Sequence, residues 1–251
     1  MLGRLQQFYW TSRPEWLAAL SVLKTRAVQR WGLTLGAPFP QSHYGYVAPC
    51  LRRDGSPAVL KLVPPGSEEA NGTEALRWLD PRGAARVLDA VPEDGAYLIE
   101  RLLPGTVLTD LCAKDDDCAT TLAAEVMLRL WRPVSTGTPF MSLDRWTQAL
   151  ERVSYAELGP LAERLGEEAR TARQYLLATA GPPVLLHGDL HHDNVLAASR
   201  YSWLAIDPKG IVGERAFEVT TLLRNPAAFL NTVADLRGLM VRRIARLATD
   251  L

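Results

Sequence analysis

The stretch from His187 to Lys209 limits what this chain can fold into more than any other part of it. It gathers three of the four histidines and three closely spaced polar acceptors into His187-Gly188-Asp189-Leu190-His191-His192-Asp193-Asn194, followed by Ile206-Asp207-Pro208-Lys209. Short apolar runs flank the polar loop: Val184–Leu186 before it, then Val195–Leu196 and Trp203–Ile206 after it. Runs of this length between turn-forming residues read as strands, which puts the polar residues on loops at strand ends. A loop carboxylate on a rigid scaffold can accept or orient a hydroxyl proton, which makes Asp189 a candidate general base. Asn194 and Asp207 offer hard oxygen donors of the kind Mg²⁺ prefers, its other ligands coming from water and substrate phosphates. Each residue alone is an ordinary turn former. In this order, each at the end of an apolar run, they suit a metal-assisted phosphoryl transfer.

The histidines also raise zinc. Adjacent loop histidines rarely converge on one metal, and there is no HExxH helix, so His187 is expected to pack and hydrogen-bond as a brace. Lys61, in Ala58-Val59-Leu60-Lys61-Leu62-Val63, is costly to bury unless it meets an anion, and nucleotide phosphates would serve. Gly45, in Ser42-His43-Tyr44-Gly45-Tyr46, either lets a hairpin approach phosphates or marks a plain strand kink. Asp115-Asp116-Asp117 reads as a solvated helix start, since acids favour a first turn. There is no GxxxxGK[ST], GxGxxG or GxSxG motif.

The pattern of elements divides the chain. Pro14 opens a helical segment through Trp31. Strands are expected at His43–Leu51 and Ala58–Val63, joined by an Arg53-Asp54-Gly55-Ser56 turn. A helix should start at Ser67 and run to about Leu79. Two more strands follow at Ala84–Ala90 and Tyr97–Leu103. After Pro104-Gly105 the composition changes, with helical patterns over Val107–Trp131, Leu143–Val153, Leu161–Ala178, Ala216–Leu223 and Val233–Leu247. The expectation is an α+β fold with a β-rich first lobe (1–99), a hinge (100–103) and a mostly helical second lobe (104–251), with a nucleotide-sized cleft between them.

The 251 residues are enough for two lobes around a real core. Zero formal net charge offers no basic field for nucleic acid. Three cysteines, odd in number and without CxxC spacing, argue against a disulfide framework and a structural zinc site. Met1–Trp10 has no apolar signal region, and no run approaches a membrane span, so a cytoplasmic monomer or weak dimer is expected, without a membrane partner.

His187-Gly-Asp189-x-x-x-x-Asn194 followed by Ile206-Asp207 resembles the signature of the aminoglycoside phosphotransferase family, which has a protein-kinase-like fold. The wider wording LHGDLHHDNVL…WLAIDPKGIVGERAFEV…LLRNP is similar to the streptomycin 6-kinase and hydroxyurea phosphotransferase branch. The resemblance runs from about Trp31 to the end. It implies an ATP- and Mg²⁺-dependent kinase acting on a hydroxyl of an aminoglycoside such as streptomycin or a related polar metabolite. Asp189 would be the base, Asn194 and Asp207 the metal ligands, and Lys61 a contact to the α and β phosphates. Ile99–Leu102, with Glu100 and Leu102, would offer backbone groups to adenine.

Some positions depart from that pattern. Where relatives carry the helix glutamate that pairs with the lysine, this chain has Gly72, and Glu69 on the same helical face is the substitute expected to pair with Lys61. Glu218 replaces an aspartate that braces the catalytic loop. Relatives continue with further helices beyond a segment like Leu247–Leu251, and these help wall the acceptor site. A cationic acceptor predicts clustered carboxylates near Asp189, with Asp144 and Glu218 available. A nucleotide-binding pseudokinase is the alternative function.

Overall fold

The computed structural model describes residues 13–251 apart from 41, 43 and 136. Met1–Trp10 and His43, where the first hairpin strand is expected to begin, lie outside the described residues. Helix α1 (Pro14–Trp31) begins with proline in its first turn and ends at Gly32, whose left-handed backbone lets its N–H return to the Val28 carbonyl. A five-stranded antiparallel sheet follows, in the order β1-β2-β3-β5-β4. Its strands are β1 (Thr34–Leu35), β2 (Tyr46–Leu51), β3 (Pro57–Leu62), β4 (Val87–Val91) and β5 (Ala96–Glu100). The β2–β3 turn closes with Arg52 N–H donating to the Ser56 carbonyl at 2.9 Å.

Strand alternation sends Ala58, Leu60 and Leu62 to the face packed under α1, with Trp16, Ala27 and Leu98. Lys61 therefore points to the other face, toward the second lobe. Helix α2 (Glu68–Ala75) is capped by the Ser67 hydroxyl accepting from Ala70 N–H at 3.2 Å. It stops four residues short of Leu79. Residues 76–78 donate three residues back instead of four, Leu76 to Thr73, Arg77 to Glu74 and Trp78 to Ala75, which winds the chain down before Asp80-Pro81. The strand expected at Ala84–Ala90 is shifted to β4, because Gly83, Ala84 and Ala85 are taken by Ala205 of the second lobe.

The second lobe contains β6 (Pro104–Val107), α3 (Thr109–Cys112), α4 (Asp116–Leu130), β7 (Arg132–Pro133), β8 (Met141–Ser142), α5 (Leu143–Thr147), α6 (Ala149–Arg152) and α7 (Pro160–Ala178). It continues with β9 (Val184–Leu186), β10 (Val195–Ala198), β11 (Trp203–Ala205), β12 (Ile211–Gly213), α8 (Val219–Leu223), α9 (Ala227–Leu230) and α10 (Leu236–Asp250). Val107 is strand rather than helix, because β6 pairs with β10.

Two small sheets, β11-β10-β6 and β7-β9-β12-β8, position the loops. The chain crosses from β9 to β10 through 187–194 and back from β11 to β12 through 206–210. Asp189, Asn194 and Asp207 all lie at these crossings. Beneath them runs α4, whose Ala119, Ala123, Ala124, Met127 and Leu130 form the centre of the larger core with Leu185, Leu190, Val195 and Leu204. Asp115 caps α4 by accepting from Cys118 N–H, as its position predicts. Asp116 departs from the expected solvated run: it meets Arg243 of α10, which is fully buried. No helix among the described residues is long and apolar enough to cross a membrane.

Candidate active site

His187 joins the two crossing loops. Its backbone N–H donates to Glu218 at 2.7 Å, and its carbonyl accepts from Lys209 N–H at 2.7 Å and Gly210 N–H at 3.2 Å. Its ring Nδ1 accepts from Asp189 N–H at 3.2 Å, which assigns the proton to Nε2, 2.7 Å from the Ile206 carbonyl. Burial pushes the ring down to about 4, so it is a neutral brace, as its sequence context predicts. Gly188 has φ +80, and a Cβ there would come within 2.7 Å of Ile211, so the turn before Asp189 needs glycine. Glu218 accepts from His187 N–H and from Gly188 N–H at 2.8 Å, the bracing role expected of it. Burial pushes its carboxyl up to about 7 against those two donors.

Asp189 is half-buried, and burial raises its carboxyl above the ordinary value while His191, Lys209 and Arg224 hold it back. Asn194 donates its side-chain N–H to the Asp189 carbonyl at 2.9 Å and lies 3.2 Å from His191 Nε2. Its nitrogen is thereby engaged within the loop, and its oxygen is the atom it offers a ligand. Asp207 has φ +54, a left-handed backbone that no other non-glycine described residue adopts. Such strain concentrates at functional positions.

Lys61 comes from the other lobe to within 2.8 Å of Asp207 Oδ1, and that positive charge holds the Asp207 carboxyl below its usual range. The carboxylate against Lys61 is thus Asp207 rather than the expected Glu69, whose charge instead acts on Lys209. A side chain at residue 72 is excluded, because a Cβ there would overlap the Pro208 carbonyl oxygen. Oxygen donors from Asp207 and Asn194 beside a lysine match a hard divalent cation carrying phosphates. The three loop histidines do not converge: His187 is buried in the brace, His191 bonds Asn194, and His192 is buried near Cys112 and Asp116.

The other expected positions make contacts of their own within the fold. A Cβ on Gly45 would lie 2.7 Å from the Leu62 carbonyl and from Val63, so its glycine is accounted for by strand packing. The Glu100 amide donates to the Arg86 carbonyl at 2.8 Å, and its carboxylate pairs with Arg200 at 2.8 Å. Leu102 is buried in the larger core. Asp144 pairs with Arg173 at 2.5 Å, and Glu218 faces the loop backbone, so neither forms an acidic cluster beside Asp189.

A cavity of about 570 Å³ opens at Asp189, walled by Glu68, Trp146, Lys209, Phe217 and Arg224. Lys209 Nζ lies 2.6 Å from Glu68 Oε1 and 6.0 Å from the centre of the Tyr44 ring. Burial works against the Lys209 ammonium, but the Glu68 carboxylate outweighs it and raises the pKa. Glu68, Trp146, Phe217 and Arg224 had no motif to mark them. Lys209 did: it stands two residues after a metal-ligand candidate.

The chain is similar to known proteins along most of its length. A hydroxyurea phosphotransferase from Kitasatospora aureofaciens is 35% identical over 208 residues, 79% of this chain and 59% of that protein. A streptomycin 6-kinase from Streptomyces griseus is 32% identical over 241 residues, 94% of this chain and 77% of that protein. The chain thus spans about three-fifths to three-quarters of the length of these curated relatives. Among solved structures, a choline/ethanolamine kinase family protein from Mesorhizobium loti superposes with a TM-score of 0.60 at 15% identity, covering 89% of this chain and 75% of that one. That likeness establishes a protein-kinase-like α+β fold. The family described as aminoglycoside/hydroxyurea antibiotic resistance kinase matches residues 30–251. By that match and by the identity to its curated members, the chain belongs to the aminoglycoside/hydroxyurea antibiotic resistance kinase family, in the branch of streptomycin kinases and hydroxyurea phosphotransferase.

Proposed function

We propose that this chain is an ATP-dependent small-molecule kinase that phosphorylates a hydroxyl of a streptomycin-like aminoglycoside or a related polar metabolite. The observation that carries this is the meeting of Lys61, Asp189, Asn194 and Asp207 at one cleft, beside a cavity large enough for such an acceptor. Mg-ATP supplies the transferable γ-phosphoryl group and, through its metal, neutralises charge on the phosphates. Asp207 and the Asn194 oxygen would hold the metal, and Lys61 would face the inner phosphates. Asp189 accepts the proton of the acceptor hydroxyl as that oxygen bonds to phosphorus and the bond to the departing ADP oxygen breaks. Its burial makes the carboxylate a better base than one in water. Phosphoryl transfer needs little covalent help, so most of the catalysis lies in holding these groups in line. The pseudokinase alternative draws no support from the site, where the residues proposed as base and metal ligands stand together.

Purified protein with Mg-ATP and a panel of aminoglycosides and small alcohols tests the assignment through ADP release. An acceptor-dependent rise is expected. Asp189→Asn should then lose about a hundredfold or more in kcat, the usual scale for a lost general base. Nucleotide binding with no acceptor-dependent turnover would refute the kinase assignment, and full activity in Asp189→Asn would refute the role of that residue.

A further inference from the structure

We infer that Lys209 binds the phosphoryl group being transferred, and that Glu68 holds its ammonium at the cleft before nucleotide arrives. The inference rests on the kinase function proposed above and adds a second cation to its phosphate site.

Position is the first argument. The Lys209 N–H is fixed to the His187 carbonyl at 2.7 Å, so its Cα has a set place between Asp207 and the turn that carries Asp189. Its Cβ stands 3.3 Å from where a side chain on Gly188 would begin. From there the side chain reaches into the same cavity as Asp189. An ammonium there is close enough to Asp207, on the ligand side, and to Asp189, on the acceptor side, for its charge to act on both.

The second argument is the division of work between the two lysines. Lys61 is committed to Asp207 at 2.8 Å and is almost fully buried, so its charge serves the inner part of the site. Lys209 is the lysine that faces the cavity. A lysine ammonium is a compact point charge that suits a phosphate oxygen.

The third argument is what holds it now. The Glu68 carboxylate is about half exposed, 47%, and an ion pair to an exposed carboxylate is worth little net. A phosphoryl group of higher charge can take the ammonium over. Glu68 sits in the first turn of α2, the helix that lacks its expected glutamate at residue 72 because the Pro208 carbonyl fills that space. Helix α2 is thus tied to the segment after Asp207 by Glu68–Lys209 and by the Gly72–Pro208 close approach.

Titration calorimetry with Mg²⁺ and either ADP or a non-hydrolysable ATP analogue tests this on the full chain. In Lys209→Met, affinity for the analogue should fall about tenfold or more, the scale of a lost charge-assisted hydrogen bond, while ADP affinity stays within about twofold. Lys209→Arg should recover part of the loss, and Glu68→Gln should leave analogue affinity equal or tighter. On the unaltered protein, amine-reactive labelling read by mass spectrometry should show Lys209 protected by the analogue and not by ADP, which holds even if a variant misfolds. Equal losses for both nucleotides, no loss for either, or equal protection by both would overturn the assignment. If the unaltered protein binds neither nucleotide, the kinase function falls and Lys209 with it. If it binds both and Lys209→Met leaves their ratio unchanged, only Lys209 falls.

Discussion

Two buried histidines make the folded chain sensitive to acid. Burial holds His187 and His192 near 4, below their ordinary value, with Arg243 adding to the depression at His192. In the unfolded chain both titrate near 6.5, so the unfolded state takes up protons first as pH falls. The stability from keeping these rings neutral is therefore fully present above about pH 6.5 and is lost as pH falls toward about 4. Glu218 works the other way: its carboxyl, raised to about 7, takes up a proton in the folded chain before the unfolded one and offsets part of that loss between about pH 7 and 4.5. Two rings outweigh one carboxyl, so melting temperature should rise slightly from pH 8 to 7 and drop below about pH 6. A profile that does not drop between pH 6 and 4 would contradict the neutral, buried state of both rings. The Lys61 pairing also belongs to this scale: Asp207, 146 positions away in sequence, occupies it.

Between elements, Arg243 ties three helices together. From α10 it bonds Asp116 at the start of α4, at 2.6 and 3.1 Å, and covers the carbonyls of Leu222, Leu223 and Asn225 at the end of α8, the nearest at 2.7 Å. The guanidinium thus serves acceptors at a helix end and a buried carboxylate together. Arg243→Ala would leave Asp116 buried without its counter-charge, at a cost of about 3–5 kcal/mol. Denaturant unfolding should show a loss of that size. Replacing Asp116 by Asn in the same background should recover part of it, because the stranded charge is then gone. A loss below about 1 kcal/mol would mean that the pair is no more than a surface contact. The aspartate run reads in sequence as a solvated helix start because its partner lies 127 residues downstream.

At the scale of the whole molecule, several contacts tie the lobes, among them Lys61–Asp207, Glu68–Lys209 and Asp80–Arg132. A further one is Arg200, in the β10–β11 turn, which pairs with Glu100 and donates to the Ala84 carbonyl at 3.0 Å and to the Pro81 carbonyl. Arg200→Ala should loosen the segment around Glu100, with roughly 1–3 kcal/mol lost from unpaired groups. The expected outcome is a higher KM for ATP with KM for the acceptor little changed. An equal rise in both, or in neither, would show that nucleotide binding does not depend on this tie.

Much of this was legible in the residues alone. The Ser67 cap, the Arg53–Ser56 turn, the strand at Val184–Leu186 and the bracing role of His187 follow from local rules of capping, turn geometry and periodicity, while the role of Glu218 came from the resemblance to the family. The two-residue strands β7 and β8, and β6, were not legible, because so short a strand is defined by its partner rather than by its own pattern. Glu69 was expected against Lys61 from helical spacing, but spacing along one helix does not say which loop the helix is pressed against. Gly45 and Gly72 likewise owe their places to backbone approaching from a distant segment, Leu62–Val63 in one case and Pro208 in the other.

By itself the sequence determined the chemistry on offer: a loop carboxylate, an amide and a second carboxylate at strand ends, with one lysine in an apolar strand. Tertiary structure alone decided how those charges are shared. Asp207 pairs with Lys61, Glu68 with Lys209, Asp116 with Arg243, and Asp144 with Arg173 instead of with an acceptor. The physical reason is that a charge's partner is set by burial and by which segments the fold brings within a few ångströms, and both depend on residues far apart along the chain.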